Sequence, residues 1–488
     1  MDDYNKLALK AVDLQKQNKS HEAKKIYIDL LKIDRNPQIL RLLSLIEFDE
    51  KNYEESLKLL NESLQINPND SECYSNKGIV NFKLKKIEEA ISDYKKAISL
   101  DKNNYKAFFN LGNLYKEINR LDESIENFNY AISINKNHYT AYHNRAVVKK
   151  LLFKFDDAIK DFDKALKINP KYSNALFFKA ITQLKIGDYE NGWKNYEHRW
   201  EAENFPSPKR KFEQPCWNGI DNLNSKIILI HGEQGLGDNI HFVRYFNLIK
   251  SKAKKAILQV DKKLVHLFKE CNFNDHIFSN DENLPEFDIH CPLLSLPFKF
   301  STDLKNIPFN EKYLFPSEDR ISRWKKNFDK QHLNIGINWQ ASPNPDLDKG
   351  RSFKLKYFND ISKIDKIKLY SLQKINGLNQ INEIRNQFKL SIIDNLDEEA
   401  PFVDTAAIIE NLDLIITCDT SIAHLSGAIG KKTFLLLQRN CEWRWLHDVD
   451  HSPWYDSIKI YRQKEQGDWE TVFKNVKNDI IKFHESRK

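Results

Sequence analysis

The chain has 488 residues, of which 76 are basic and 69 acidic, and its formal net charge is +7. This length suggests two to four compact units. The two signs of charge are mixed along the sequence, as on an ordinary solvated surface, so the composition predicts neither a nucleic-acid partner nor an anionic membrane. No apolar run approaches the length of a membrane span and residues 1–6 are too polar to resemble a signal peptide, so we expect a cytoplasmic protein. The six cysteines lack C-x-x-C spacing and are expected to be buried thiols.

The N-terminal part of the chain, residues 4–206, repeats itself every 34 residues. Small residues recur at that spacing in two series, one of which is Gly78, Gly112, Ala146 and Ala180. Such a pattern predicts pairs of short helices that pack closely at the small residues and bury their apolar faces only by stacking on neighbouring pairs. It resembles the tetratricopeptide repeat, with about six units, and predicts an all-helical solenoid.

The last repeat departs from this pattern. Its late small position is occupied by Arg199, and it contains Trp193 and Trp200. Side chains of this size indicate that the unit packs against something other than a seventh repeat.

A linker rich in proline and charge, residues 207–225, leads to a block in which short apolar runs alternate with amphipathic segments. The runs divide near residue 330, which predicts two α/β domains, 226–330 and 331–488. Strands are expected in the first at 226–231, 256–260, 276–279 and 287–290, and in the second at 334–339, 368–372, 390–394, 412–417, 433–437 and 457–461. Two doubly wound sheets of this kind face a cleft, and ligands bind at the carboxyl ends of their strands.

Residues 232–241 read G-E-Q-G-L-G-D-N-I-H and lie between the apolar run 226–231 and the amphipathic segment 239–250. The order predicts a strand, a tight turn and a helix. A phosphate loop would end in Gly-Lys-Ser/Thr, whereas Asp238 lies at this helix N-terminus and would repel phosphate. The helix dipole and unpaired amides keep such a carboxylate ionised, so Asp238 is either a base directed into a cleft or only the cap of its helix.

A second strand, turn and helix follow at 412–417, 418–421 and 422–430. Asp419 or Thr420 is expected to cap the helix. Its unpaired amides and the hydroxyls of Thr420 and Ser421 then form a place for a diphosphate. The alternative is a well-capped helix without a ligand.

Taken together, the two turns resemble those of the heptosyltransferases and the wider glycosyltransferase family nine, whose two-domain fold is called GT-B. In that family a G-D-x-x-H turn of the N-terminal domain carries the aspartate taken to be the catalytic base, and the matching residues here are Gly237, Asp238 and His241. The resemblance covers residues 226–462. His241, one turn after Asp238, either orients an acceptor or is a core or supporting histidine, and we favour the second interpretation.

The C-terminal domain of that family presents a D-T-x-x-x-H turn that binds the diphosphate of the nucleotide sugar. The matching residues here are Asp419, Thr420 and His424, with Ser421 in place of the usual glycine. His424 lies on the apolar face of its helix, so packing is an equally good interpretation of this residue.

In the same family a lysine after the first strand of the C-terminal domain contacts the donor phosphates. At that place this chain has Lys349 and Arg351, so the resemblance assigns the role to one of them. Arginine suits it better, because its planar fork binds phosphate with two hydrogen bonds. Asp346 and Asp348 mimic the D-x-D of metal-dependent glycosyltransferases, but two acids without further ligands do not define a metal site, and none is expected.

The sequence resembles most specifically those chains that fuse tetratricopeptide repeats to such a domain. The shared segments include G-W-x-x-Y-E-x-R-W at 192–200, E-Q-G-L-G-D at 233–238, L-L-S-L-P at 293–297, W-R-W at 443–445 and S-P-W-Y at 452–455. The layout also resembles the O-linked N-acetylglucosamine transferases, whose repeats hold protein acceptors.

The resemblance implies a bacterial glycosyltransferase of hexosyl or heptosyl type, with a nucleotide sugar as donor and a protein or glycan acceptor held by the repeats. Asp238 would deprotonate the acceptor hydroxyl, while Arg351 and the helix end at Thr420 and Ser421 hold the departing nucleoside diphosphate. No cofactor is expected. The alternative is a non-catalytic scaffold whose repeats bind a partner and whose GT-B domain is degenerate.

Overall fold

A computed structural model describes residues 2–203, 205–271, 273, 276–344, 348 and 350–486. The chain separates into two compact units, residues 1–178 and 179–488. Among the described residues, no helix is both long enough and apolar enough to cross a bilayer. The domain boundaries expected from the sequence stay predictions.

Unit 1 consists of consecutive helix pairs. Its helices are α1 (Asp2–Lys16), α2 (Ser20–Ile33), α3 (Pro37–Asp49), α4 (Tyr53–Ile66), α5 (Ser71–Lys83), α6 (Ile87–Leu100), α7 (Tyr105–Glu117), α8 (Leu121–Ile134), α9 (Tyr139–Leu151) and α10 (Phe155–Ile168). The first helix of the last pair, α11 (Ser173–Lys185), crosses into unit 2 and is followed there by α12 (Tyr189–Tyr196). The all-helical solenoid expected from the 34-residue period is therefore confirmed.

The small residues of the repeat have the packing role expected of them. A Cβ added to Gly78 would lie 2.7 Å from Cε1 of Tyr94, and one added to Gly112 would lie 2.9 Å from the ring of Phe128. Both rings belong to the partner helix of the pair, so a larger residue would force the two helices apart.

Unit 2 contains two parallel sheets. The first has the order β3-β2-β1-β4 and is built from β1 (Ile227–His231), β2 (Lys255–Val260), β3 (Ile277–Ser279) and β4 (Ile289–Pro292). The second has the order β6-β5-β7-β8-β9 and is built from β5 (Leu333–Asn338), β6 (Ile367–Ser371), β7 (Leu414–Cys418), β8 (Thr433–Leu437) and β9 (Ile458–Arg462). The central strands are buried along their whole length, as expected where helices cover both faces of a parallel sheet.

Ten helices accompany these sheets. They are α13 (Leu236–Phe242), α14 (Phe246–Lys250), α15 (Lys262–Glu270), α16 (Leu296–Lys299), α17 (Glu318–Lys325), α18 (Asn359–Ser362), α19 (Asn379–Ile384), α20 (Val403–Asn411), α21 (Ser421–Ile429) and α22 (Trp469–Glu485) among the described residues. Two of them matter for function, because α13 follows β1 and α21 follows β7, at the carboxyl ends where ligands of such sheets bind.

The strand expected at 390–394 is not present. Ser391 makes only an isolated bridge to Tyr370, although its N–H and C=O both pair with β6 at 2.9 Å. The chain turns away directly afterwards, because Asn395 and Asp397 have positive φ angles of 58° and 55°. The predicted strand is therefore wrong, since only Ser391 pairs with the sheet before the chain turns.

The single helix expected over 239–250 is broken into α13 and α14 by a 3-10 turn at Val243–Tyr245. Side chains take the carbonyl oxygens that would continue the α-helical ladder. Arg244 Nε donates to the His241 carbonyl at 2.9 Å, and the Tyr313 hydroxyl donates to the Ile240 carbonyl at 2.9 Å. Insertion of this kind is a known cause of helix interruption.

The expectation of buried thiols holds for five cysteines and is wrong for Cys216, which is exposed.

Candidate functional site

The two strand-turn-helix motifs of unit 2 line one cleft of about 260 Å³. The lining residues are Gln234, Gly235, Gly237, Asp238, Arg351, Asp419, Thr420, Ser421, His424, Glu442 and Arg444. Seven of these are residues that the sequence singled out. His241 does not line the cleft, and Lys349 and Asp346 lie outside the described residues.

Gly237 allows the two motifs to approach each other. A Cβ at this position would lie 2.9 Å from Cδ2 of His424 and 3.5 Å from Cα of Ser421. The first distance is too short for any side chain, and both neighbours belong to α21. The N-terminal ends of α13 and α21 therefore meet at a point that only glycine fits.

Asp238 has two partners, one for each carboxylate oxygen. Its Oδ2 accepts a hydrogen bond of 3.0 Å from the N–H of Gly235, which caps α13. Its Oδ1 forms an ion pair with Nη2 of Arg444. This oxygen is therefore occupied by a cation for as long as the pair is intact. The side chain thus caps its helix and also lines the cleft, while its role as a base stays a prediction.

Arg444 was not identified as a site residue from the sequence. Its side chain is only 8% exposed, and its guanidinium lies 4.4 Å from the ring centre of Trp443. The signal available in the sequence was an arginine between two tryptophans in W-R-W, which we treated only as part of the family resemblance. Glu442, also missed, places Oε2 at 3.9 Å from Nη1 of Arg444.

Asp419 and Arg351 meet on the opposite wall. Burial raises the pKa of Asp419 to about 6, and the positive charge of Arg351 opposes that rise. No described residue donates a hydrogen bond of normal geometry to the buried Oδ2 of Asp419, although a weaker contact with the Trp445 side chain also opposes the rise of the pKa. Arg351 Nη1 donates to the backbone carbonyl of Asp419 at 3.3 Å, which holds the guanidinium beside this turn. A ligand could thus meet both an unsatisfied acceptor and a cation here.

Thr420 uses its hydroxyl within the protein. The group donates to Oδ1 of Asn338 at 3.0 Å and accepts a 3.3 Å hydrogen bond from the N–H of Ile422, so Thr420 is the N-cap of α21. Its proton is therefore engaged and not directed at a diphosphate. The N–H groups of Ile422 and Ala423 are also engaged, by the hydroxyl and the carbonyl of Thr420. The Ser421 hydroxyl has no side-chain partner among the described residues, so a ligand contact falls to the hydroxyl and the N–H of Ser421.

The two histidines are both buried and neutral, because burial lowers the pKa of each well below its ordinary value. His424 lies at the edge of the cleft with Nδ1 3.0 Å from the Tyr455 hydroxyl, and its ring stacks on Trp445 at 5.1 Å. The ring of His241 stacks on Phe242 at 4.3 Å, away from the cleft. The interpretation of His241 as a core or supporting residue thus agrees with its position.

The end of the repeat region supports the first turn. Arg199 is fully buried, and Nε and Nη2 donate to the two oxygens of Glu233 at 2.8 and 2.6 Å. Next to it, Gln234 Nε2 donates to the hydroxyl of Tyr196 at 2.7 Å. The turn that carries Asp238 is therefore fixed by residues of α12 and of the 3-10 turn that follows it.

The same segment contacts the loop that carries Arg444. Trp193 packs edge-on against Trp443, with 5.3 Å between ring centres, and Lys185 donates to the carbonyl of Cys441. The expectation that the last repeat packs against something other than a seventh repeat is confirmed. Both walls of the cleft thus rest on the segment from Lys185 to Arg199.

Comparison with known proteins identifies the repeats. Models described as tetratricopeptide repeat match residues 9–71, 105–138 and 139–172, and one described as TPR repeat matches 80–118. Protein FlbA of Caulobacter vibrioides is 23% identical over 323 residues, which are 62% of this chain and 54% of FlbA. The chain thus spans about half the length of that relative.

Solved structures to which part of this chain is similar include MamA, YrrB and PilF of Pseudomonas aeruginosa. They are 25%, 22% and 14% identical, with TM-scores of 0.30, 0.30 and 0.36. They cover 33%, 35% and 41% of this chain and 95%, 88% and 89% of their own chains. YrrB is described as a TPR protein with an unusual peptide-binding site. The first 170 or so residues of this chain are tetratricopeptide repeats, followed by a region of parallel sheets and helices.

Proposed function

We propose that the chain is a glycosyltransferase of GT-B type, which moves a sugar from a nucleotide sugar to an acceptor recruited by the repeats. The observation that carries this proposal is the composition of the cleft. One wall supplies the carboxylate of Asp238, and the other supplies Arg351 and the N-terminal end of α21. A base and an anion-binding helix end that face each other at the carboxyl ends of two parallel sheets suit group transfer from a diphosphate.

The donor binds on the wall of the second sheet. The N–H and the hydroxyl of Ser421, at the N-terminal end of α21, donate to the diphosphate, and Arg351 neutralises part of its charge. These groups are fixed in place before the reaction, so they stabilise the extra negative charge of the leaving diphosphate without reorganising. Thr420 does not contact the donor, but its hydrogen bond to Asn338 holds the turn in position.

The acceptor approaches from the wall of the first sheet. Asp238 takes the proton of its hydroxyl while the hydroxyl oxygen forms a bond to the anomeric carbon. The bond from that carbon to the diphosphate oxygen breaks, and its electron pair leaves with the nucleoside diphosphate. The family resemblance implies inversion at the anomeric carbon.

The repeats select the acceptor in this proposal. Stacked helix pairs form an extended concave surface, and the donor contacts all lie beyond residue 226. A chain shortened to begin near Tyr172 keeps Lys185 to Arg199 and so keeps the support of the cleft. We expect it to bind the donor normally and to modify its natural acceptor poorly. Full modification of that acceptor by the shortened chain would assign the repeats to assembly instead.

The test of the proposal is a thermal-unfolding screen of the whole chain with nucleotide sugars and nucleoside diphosphates. A ligand that binds only the folded state raises its stability by about 2.7 kcal/mol at a hundred times its Kd. The matched variants are Arg351→Ala, which should lose the shift, and Arg323→Ala, an exposed arginine on α17 that should keep it. If none of these compounds stabilises the protein, the proposal is wrong.

A second candidate is a non-catalytic scaffold. It is favoured by one observation, the ion pair that neutralises Asp238. Donor binding with neither transfer nor hydrolysis of the donor would favour this alternative.

A further inference from the structure

The ion pair between Asp238 and Arg444 crosses the cleft. Asp238 lies on α13, which follows β1 of the first sheet, and Arg444 lies in the loop between β8 and β9 of the second sheet. Both side chains are largely buried, with 18% and 8% of their surface exposed. The pair therefore joins the two walls between which a donor and an acceptor would bind.

The guanidinium of Arg444 has fewer acceptors than it can use. Arginine has five N–H donors, and here Nη2 serves Asp238 while the Glu442 carboxylate is 3.9 Å from Nη1, beyond hydrogen-bond distance. The buried Nε has no hydrogen-bond partner among the described residues. An unsatisfied buried donor is costly, so this group gains from any anion that enters the cleft.

The charges of the cleft indicate why a diphosphate would need Arg444 as well as Arg351. Among the described lining residues the cations are Arg351 and Arg444, and the anions are Asp238, Asp419 and Glu442. While Arg444 is paired with Asp238, Arg351 alone faces an incoming diphosphate against two carboxylates. A diphosphate is bound well only if the second guanidinium turns to it.

We infer that Arg444 is a second phosphate-binding residue of the donor site, and that it exchanges Asp238 for the donor diphosphate when the donor binds. The inference rests on the proposed function. The exchange is favoured because a diphosphate carries more charge than a carboxylate and matches the guanidinium fork. The exchange frees the Asp238 carboxylate oxygen for the acceptor hydroxyl only once the donor is in place.

The test is a double-mutant cycle of Asp238→Asn and Arg444→Met, with UDP, GDP and ADP titrated into the full chain by calorimetry. Asp238→Asn removes the competitor for Arg444 and should tighten binding about tenfold, whereas Arg444→Met should weaken it between tenfold and a hundredfold, the usual range for a charge-assisted hydrogen bond. The double variant should stay as weak as Arg444→Met. Arg320→Met is the control, because Arg320 is also a largely buried, ion-paired arginine but does not line the cleft.

Two outcomes of these titrations would overturn the inference about Arg444. If Arg444 only neutralises Asp238, Arg444→Met weakens binding by exposing a carboxylate, and adding Asp238→Asn restores the wild-type affinity. That restoration overturns the inference. Arg444→Lys keeps the charge and the folded cleft while removing the fork, and an affinity equal to wild type would also overturn it. If the wild type binds none of the three diphosphates, the proposed function fails as well, whereas restoration in a wild type that binds leaves the proposed function intact.

Discussion

The two turns of the cleft place an aspartate at the end of a parallel strand, yet the two carboxylates have opposite surroundings. Asp238 has a guanidinium in contact and a backbone N–H on its second oxygen. Asp419 is buried, its Oδ2 has no donor of normal geometry among the described residues, and its pKa rises to about 6. The same residue type is thus held in an ion pair in one turn, whereas burial raises its pKa in the other.

This contrast assigns different chemistry to the two walls. The first wall holds a carboxylate whose access to a substrate depends on where Arg444 is, while the second wall holds a carboxylate whose ionised form burial disfavours and the charge of Arg351 favours. Environment, and not residue identity, separates the two roles.

The first turn, unlike the second, is held by a buried ion pair with the last repeat, between Glu233 and Arg199. The variant Arg199→Met tests this dependence and has the largest effect that we expect. It leaves the buried Glu233 of the first turn without its partner, and breaking such a pair costs about 3 to 5 kcal/mol of unfolding free energy. Urea unfolding followed by tryptophan fluorescence measures it in unit 2 alone, because all nine tryptophans lie between Trp193 and Trp469.

The control is Arg323→Met, which removes an exposed pair with Glu399 at 3.5 Å and should cost less than about 1 kcal/mol. Arg199→Met combined with Glu233→Gln should recover part of the loss, since no unpaired charge is then buried. Equal stability of Arg199→Met and Arg323→Met would show that the first turn does not depend on the last repeat.

The next effect concerns the base. Asp238→Asn keeps the acceptor for the Gly235 N–H but removes the charge. We expect the fold to persist and the donor to bind, about tenfold more tightly, while kcat falls about a hundredfold or more. Steady-state transfer is measured beside Asp261→Asn, which changes an aspartate that caps α15 away from the cleft. Undiminished turnover of Asp238→Asn would remove this residue from the mechanism.

The donor wall separates into contacts and supports. Arg351→Ala should weaken nucleoside diphosphate binding by roughly 1 to 3 kcal/mol, because a charge-assisted hydrogen bond is lost. Ser421→Ala should weaken it by roughly 0.5 to 1.5 kcal/mol, because a neutral hydrogen bond is lost. Thr420→Val should instead lower stability by about 1 kcal/mol through the lost cap, with a smaller change in affinity. Calorimetry and thermal unfolding of the three variants distinguish these outcomes. A larger loss of affinity in Thr420→Val than in Ser421→Ala would contradict the assignment.

Local patterns predicted much of this molecule. The 34-residue period fixed the helix pairs because each repeat packs only on its neighbours. Both motif turns were found because a strand, a turn and a capped helix are contiguous in sequence. The wrong strand at 390–394 shows the limit, since an apolar run does not reveal that positive φ angles at Asn395 and Asp397 will turn the chain away.

The partners in the cleft could not be predicted in the same way. Arg444 is 206 positions from Asp238, and the Thr420 hydroxyl is satisfied by Asn338, 82 positions away. Contacts of this range depend on how two sheets pack and leave no periodic signal in one sequence. The family resemblance supplied Asp238, Asp419, the two hydroxyls and Arg351, but not Arg444, which pairs with Asp238.

The last prediction concerns the second carboxylate, Asp419. The folded pKa of Asp419, about 6, lies above its ordinary value of 3.8, so the folded protein holds this proton more tightly than the unfolded chain does. The unfolding free energy therefore falls as the pH rises from about 4 to 6 and stays at the lower level above 6. Asp419→Asn mimics the neutral form and should stabilise the protein by about 1 to 2 kcal/mol at pH 7.5, with no advantage at pH 4. Urea unfolding of unit 2 at both pH values measures the difference, and an advantage of equal size at pH 4 would show that ionisation of Asp419 is not its cause.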